Sequence, residues 1–202
     1  MCRPSSETST SPTTFSPQSN SRLPGFFTLN RMCTILEHMF VLGIDPGLTR
    51  TGYGIVDIAP GREVAIAAGV IRTASDLPVA DRLVELRHDM EALLDEHPID
   101  SAAIEQVFVN RNRGTAMAVA RASGVIMETI ARRGIVIAEY SPSQMKMAVT
   151  GSGSADKQQV GAVVSMRLGL DTVDGPADVA DALGIALCHA QHHPRRAQVA
   201  RR

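Results

Sequence analysis

Cysteine is scarce in this chain, and its three cysteines lie far apart. They are Cys2, Cys33 and Cys188, and no two of them form a Cys-x-x-Cys pair. A disulfide framework requires several regularly spaced cysteines and a thiolate zinc site requires closely spaced pairs, so the sequence argues against both. This sparse cysteine usage is typical of a protein of the reducing cytoplasm.

A long hydrophobic run is also missing. The longest apolar stretch, Val64 to Ile71, is much shorter than the roughly 20 residues that a membrane-spanning helix needs. No charged and then apolar leader precedes a small-residue cleavage site. The sequence therefore favours neither a membrane protein nor an exported one.

The chain has almost no net charge. Its 20 Lys and Arg residues oppose 21 Asp and Glu residues, which gives a formal charge of −1 at pH 7. The overall electrostatic field would not attract phosphate groups, so a nucleic acid would have to be bound by a local basic patch. Composition alone therefore does not predict DNA binding.

The 202 residues, of which 44% are hydrophobic, suffice for one compact domain with tails. Residues 1–38 are rich in Ser, Thr and Pro and show no apolar period, so we expect a disordered tail there. A targeting peptide remains an alternative. So does an upstream extension from a wrongly assigned start, because Met32 and Met39 both precede the first predicted strand. Residues 194–202 form a predicted basic tail, which leaves 39–193 as the folded domain.

The pattern changes at Phe40, where short apolar runs and helical periods begin. The apolar runs predict five strands, at Phe40–Ile44, Gly52–Ile58, Glu63–Arg72, Asp100–Glu105 and Ile135–Tyr140. Helical spacing predicts five helices, from Val79 to before His97 and then at Arg113–Arg133, Ser143–Val149, Asp156–Leu168 and Ala177–His192. Short connections between the first three strands predict an antiparallel meander. The alternation that follows predicts an α/β fold with a mixed five-stranded sheet flanked by helices.

Four acidic residues occupy notable positions on this map. Asp45 and Glu105 end predicted strands, where open α/β sheets usually bind ligands. Asp178 and Asp181 are three residues apart, so both project from one face of the last helix. If that helix packed at the strand ends, the four carboxylates would form one cluster.

Such a cluster predicts a metal site. Carboxylates that lie close together repel one another, and burying them without a partner is costly, so hard cations normally accompany them. Oxygen ligands favour magnesium, with manganese as a substitute. Two ions about 4 Å apart would activate a water and stabilise the departing oxygen in phosphodiester cleavage. The acids therefore point to nuclease chemistry.

Three sequence blocks together resemble the RuvC family of bacterial Holliday junction resolvases. They are Leu42-Gly-Ile-Asp-Pro-Gly-Leu-Thr-Arg-Thr-Gly-Tyr-Gly54, Ala103-Ile-Glu-Gln-Val-Phe108 and Asp178-Val-Ala-Asp-Ala-Leu-Gly-Ile-Ala186, with Gly151-Ser-Gly-Ser154 between the last two. Their order and spacing make the resemblance specific. It implies a ribonuclease H-like fold, a homodimer, and magnesium-dependent, symmetric nicking of four-way junctions in recombination and repair. It also implies loading by the RuvA and RuvB branch-migration proteins.

The resemblance also assigns roles to individual residues. The four acids match the family's metal-binding catalytic residues, and all four are intact. Phe108 stands at the place of an aromatic residue that stacks on junction bases. Four basic residues are expected to contact DNA: Arg111, Arg113, Lys146 and Lys157.

Each of these residues also has a plain structural explanation. Asp45 could simply begin an Asp-Pro-Gly turn, and Asp178 could be an acid that favours the start of a helix. Phe108 could belong to the core, and either lysine could lie on a solvated helix face. The histidines near the end of the last helix, His189, His192 and His193, are expected in an exposed final turn without a function.

Two other classes of function deserve comparison. The Gly43-Ile-Asp-Pro-Gly47 block with Thr49 resembles the phosphate loop of actin-like ATPases, but those proteins need two such domains and this chain is too short for both. A module that binds junctions without cutting them would be expected to have lost the acids, and the acids are present.

Overall fold

The computed structural model describes residues 38–107, 113–173 and 175–192. Strands and helices follow one another there in the predicted order. The strands are β1 (Met39–Asp45), β2 (Arg50–Ala59), β3 (Arg62–Arg72), β4 (Ser101–Glu105) and β5 (Val136–Tyr140). The helices are α1 (Val79–Glu96), α2 (Arg113–Arg132), α3 (Pro142–Thr150), α4 (Lys157–Leu168) and α5 (Ala177–His192). Most of the two predicted tails lies outside the described residues, and their boundaries stay predictions.

The five strands form one sheet in the order β3-β2-β1-β4-β5. Strands β3, β2 and β1 are antiparallel, as the short connections predicted, whereas β1, β4 and β5 run parallel. The mixed five-stranded sheet is therefore confirmed. Strand β1 lies at its centre, and its run Val41–Ile44 is completely buried because helices cover both faces.

Helices cover the two faces of the sheet in different ways. Side chains that alternate along β1 separate the faces, with Val41 on one side and Leu42 and Ile44 on the other. Helices α3, α4 and α5 pack on the first side, which we call the α5 face. Helices α1 and α2 pack on the second, which we call the α1–α2 face.

Capping residues define helices α3 and α4. The Ser141 side chain accepts a hydrogen bond from the backbone of Gln144, and Asp156 does the same for Gln159, so each helix begins with a complete capping box. Each cap contributes about 1 kcal/mol. The two helices end at Gly151 and Gly169, whose left-handed conformations suit glycine. The caps therefore define where the helices that carry Lys146 and Lys157 begin and end.

Within the described part of the chain, no helix has both the length and the apolar content needed to cross a membrane.

Candidate active site

Asp45 and Glu105 lie side by side at the carboxyl ends of the neighbouring strands β1 and β4. Strands β1 and β4 are parallel, and their last paired residues are Ile44 and Ile104. The residues that follow them, Asp45 and Glu105, are therefore neighbours across the two strands. On β1, Asp45 shares a face with Gly43, two residues earlier, and Gly43 contacts helix α5. The acid of β1 consequently points towards the α5 face.

Helix α5 reaches these acids because glycines let it approach the sheet closely. A Cβ atom at Gly43 would lie 2.1 Å from the carbonyl oxygen of Ala182, and one at Gly52 would lie 2.2 Å from that of Asp178. Gly52 is also the antiparallel partner of Asp45. The first turn of α5, which carries Asp178, therefore lies directly over the Asp45–Gly52 pair, and Asp181 follows on the same face of the helix.

The four acids interact electrostatically. Burial raises the pKa of Asp45 to about 7. Three negative neighbours add to this increase, in the order Glu105, Asp181 and Asp178. The positive charge of Lys157 opposes it. The Asp45 carboxyl group is thus buried beside other negative charges, an environment in which a bound cation would favour its charged form.

Glu105 is affected in the same direction. Burial raises its pKa, and the charge of Asp181 adds to the increase. The charge of Lys157, a hydrogen bond with Asp45 and the charge of Lys146 act in the opposite direction. Both lysines that the sequence singled out therefore lie within electrostatic range of the acids.

Two basic side chains form ion pairs with the helix acids. Lys157 Nζ lies 2.8 Å from Asp181 Oδ2, although 69% of the lysine side chain is exposed. Arg50 Nε lies 3.2 Å from Asp178 Oδ2. Arg50 was not among the residues predicted from the sequence to belong to the site. The available signal was its position in the same block as Asp45, at the start of β2.

The donor set suits a hard cation, but the ligands do not form a ready metal site. Four carboxylates offer only oxygen, burial and negative neighbours raise the pKa of Asp45, and Asp178 Oδ2 is buried without a hydrogen bond among the described residues. In the parts of the chain that the structure describes, however, no three Asp, Glu, His or Cys side chains are arranged to hold a metal ion. Oxygens of Asp178 and Asp181 face Arg50 and Lys157 instead.

The other residues that the sequence singled out lie partly inside and partly outside the described part of the chain. Phe108 and Arg111 lie outside the described residues, and Arg113 is the first residue of α2. The expectation of an exposed final turn is wrong for His189, which is 1% exposed and whose Nδ1 lies 3.1 Å from the Tyr140 hydroxyl. His192 is exposed, as expected.

Comparison with known proteins gives consistent matches. The family model described as crossover junction endodeoxyribonuclease RuvC matches residues 41–189. A crossover junction endodeoxyribonuclease RuvC from Streptomyces griseus is 52% identical over 157 residues, which are 77% of this chain and 77% of that protein. The solved structure of T. thermophilus RuvC in complex with Holliday junction substrate is 32% identical, with a TM-score of 0.73. That alignment covers 77% of this chain and 94% of the other.

A more distant structure confirms the fold alone. The yeast mitochondrial Holliday junction resolvase is 15% identical, with a TM-score of 0.54 over 77% of this chain and 83% of its own. The predicted ribonuclease H-like fold is thus confirmed. Because the family model and the relative at 52% identity each span about three quarters of the residues, the chain belongs to the crossover junction endodeoxyribonuclease RuvC family.

Proposed function

We propose that this protein is a magnesium-dependent endonuclease that resolves four-way DNA junctions by paired, symmetric nicks, in recombination and repair. Family membership supports the nuclease activity, and RuvC-family nucleases are in general metal-dependent. The relative solved with a Holliday junction substrate supports the substrate class. The observation that carries the proposal is the convergence of four carboxylates at one sheet edge, where Asp45 has a pKa of about 7.

Asp45, Glu105, Asp178 and Asp181 would hold two Mg²⁺ ions, and Mn²⁺ would substitute because it accepts the same oxygen ligands. When bound, this pair of ions supplies an activated water and stabilises the departing oxygen of the phosphodiester. The chain's own part is to fix the acids in place. Strand register places Asp45 and Glu105, and the glycine contacts place Asp178 and Asp181.

Lys146 and Lys157 are the proposed contacts to the DNA backbone next to the acids. What supports this proposal is that Lys157, although 69% exposed, pairs with Asp181, and that the charge of Lys146 acts against the rise that burial causes in the pKa of Glu105. A phosphate that binds at the acids would lie within reach of both lysines, and these positive charges would offset its repulsion by the carboxylates.

The remaining DNA contacts are proposed from the family resemblance. Phe108 would stack on junction bases, and Arg111 and Arg113 would contact phosphates. Because Phe108 follows Glu105 by only three residues, an aromatic ring there would act near the cleaved strand. Their test is loss of junction binding, since none of them is expected to hold a metal.

The assembly follows from the substrate. A four-way junction has two symmetry-related strands to cut, so two copies of one active site, in a homodimer, match its symmetry. Loading by RuvA and RuvB and a cytoplasmic location complete the proposal, and both rest on the family alone.

The deciding experiment incubates the full-length protein with a synthetic four-way junction, with Mg²⁺ and with EDTA. Paired nicks at symmetry-related positions, only with Mg²⁺, are the expected result. A junction that is bound but left uncut in Mg²⁺ would favour a binding module. Cleavage of equal rate in EDTA would contradict the metal mechanism.

Asp181→Asn tests the acids directly. Loss of a metal ligand should reduce cleavage by at least about 100-fold, whereas junction binding in Ca²⁺ should persist, because Ca²⁺ positions the attacking water poorly. Asp89→Asn is the matched control, since Asp89 is exposed on α1, on the opposite face of the sheet. Normal cleavage by Asp181→Asn would remove Asp181 from the proposed catalytic set.

A further inference from the structure

Arg50 lies at the point where the proposed metal centre meets strand β2. It is the first residue of β2, and its Nε atom is 3.2 Å from Asp178 Oδ2. Half of its side chain is exposed, at 50%. It is therefore a surface arginine whose charged group turns inward, towards one acid of the cluster.

The oxygen that Arg50 approaches lacks a hydrogen-bond donor among the described residues. Asp178 Oδ2 is buried and accepts no hydrogen bond within the described residues. The Asp178 backbone packs directly against Gly52, close to the start of β2. The other acids of the cluster increase the local negative charge. Within the part of the chain that the structure describes, Arg50 is the basic residue that forms an ion pair with this oxygen.

The loop in front of Arg50 is held by hydrogen bonds, whereas the Arg50 side chain is half-exposed. Arg82 is buried, and its Nη2 donates to Thr49 Oγ1 at 2.8 Å while its Nε donates to Thr73 Oγ1 at 3.0 Å. Thr49 is the residue before Arg50. The backbone therefore holds Arg50 beside Asp178. Its side chain is half-exposed and, within the described residues, Asp178 Oδ2 accepts no hydrogen bond from it, so the guanidinium has room to turn away.

We propose that Arg50 is a counter-cation that occupies Asp178 in the metal-free enzyme and must release this carboxylate when a divalent ion binds. This inference rests on the metal centre of the proposed function. It gives Arg50 a positioning role, because the arginine sets the apparent metal affinity without touching substrate. It also accounts for Asp178 facing a basic side chain where a metal ligand would be expected.

Calorimetric titration of Mn²⁺ into the full-length protein, without DNA, tests the proposal. A half-exposed ion pair is weak, so removing it in Arg50→Gln should strengthen Mn²⁺ binding by only about two- to fivefold. Arg50→Lys keeps a positive charge and should stay close to wild type. Arg87→Gln is the matched control, because Arg87 is 46% exposed and pairs with Glu91 on α1, on the other face of the sheet.

A second readout is thermal unfolding. In EDTA, Arg50→Gln should unfold at a lower temperature than wild type, because Asp178 loses its cation. Saturating Mn²⁺ should remove this difference, so the metal-induced rise in Tm should be larger in the variant. Arg87→Gln should show the wild-type rise.

The outcomes separate the inference from the proposed function. Unchanged or weaker Mn²⁺ binding by Arg50→Gln, while wild type binds the metal, would overturn the role of Arg50 and leave the metal centre standing. Failure of wild type to bind Mn²⁺ would contradict the metal centre and, with it, this inference. Because Arg50 is at the surface, Arg50→Gln should fold, and circular dichroism verifies this.

Discussion

The two faces of the sheet are packed in different ways. On the α5 face, Gly43 and Gly52 bring the helix backbone against the strand backbone, and the contacts leave no space for one additional carbon. On the α1–α2 face, large aliphatic side chains such as Leu42, Leu86 and Ile126 interdigitate. The first arrangement fixes distances between main chains, whereas the second can adjust by moving side chains.

This difference matches the distribution of acids. All four acids of the proposed centre gather where α5 meets the sheet edge, and a metal centre tolerates errors of only a few tenths of an ångström. The α1–α2 face supplies stability and holds the loop before Arg50 through Arg82. The comparison therefore predicts that small changes on the α5 face affect function, and that similar changes on the other face affect stability alone.

The largest expected effect is that of Gly43→Ala. The new methyl group would lie 2.1 Å from the backbone oxygen of Ala182, so strand and helix would have to separate. We expect a loss of about 3 kcal/mol or more in the free energy of unfolding, at the upper end for overpacked cores. Cleavage should also fall in the molecules that remain folded. Urea unfolding and junction cleavage measure the two effects.

Gly124→Ala is the control for that substitution. Gly124 lies in helix α2, and a Cβ there would meet nothing within 4 Å. Alanine favours a helix interior by about 0.5–1 kcal/mol over glycine, so this variant should be more stable than wild type. If the two substitutions had similar effects, the close contact between Gly43 and helix α5 would not be the cause of the destabilisation by Gly43→Ala.

The acid cluster should have a smaller effect on the free energy of unfolding, and this effect should depend on pH. The pKa of Asp45 is about 7 in the folded protein and 3.8 as the ordinary value, so between these values the folded state binds more protons than the unfolded state. The metal-free protein should therefore lose stability as the pH rises from about 4 to about 7, at no more than about 1.4 kcal/mol per pH unit. Asp45→Asn should remove this component.

Urea unfolding of wild type and Asp45→Asn in EDTA, at a series of pH values, measures that component as the difference between two curves. Glu105 has a raised pKa too and is coupled to Asp45 by charge and by a hydrogen bond, so the difference between the curves reports Asp45 together with its coupling to Glu105. Excess Mn²⁺ should reduce the slope, because a bound cation favours the charged carboxylates. Parallel curves for the two proteins would show that Asp45 titrates normally.

The sequence predicted the elements of the fold well, because apolar periods of two and of 3.6 reflect burial directly. It also identified the four acids, since strand ends and a spacing of three residues on a helix are visible in one dimension. The contacts of the glycines were harder to predict. Gly43, Gly52 and Gly54 stand in the family block, but only the packed structure shows which part of α5 each of them contacts.

Two side chains show why the rest could not be predicted easily. Arg50 is a charged residue at the start of a strand, where solvent is the usual environment, and its partner Asp178 is 128 positions away in the chain. His189 was expected to be exposed near a helix end. A signal against this was present, because residues 182–188 are apolar on every side of α5, and a helix of that kind is buried.

The smallest expected effect is that of Ile126→Val on the α1–α2 face. Ile126 is completely buried in α2, and removing one methyl group there should cost about 0.5–1.5 kcal/mol. Neighbouring aliphatic side chains can partly fill the space, and no acid of the cluster lies in this packing. Thermal unfolding should show a lower Tm, while junction cleavage well below that temperature should stay at the wild-type rate. A marked fall in cleavage rate would show that the α1–α2 face also positions the acids, and the division of labour between the faces would have to be abandoned.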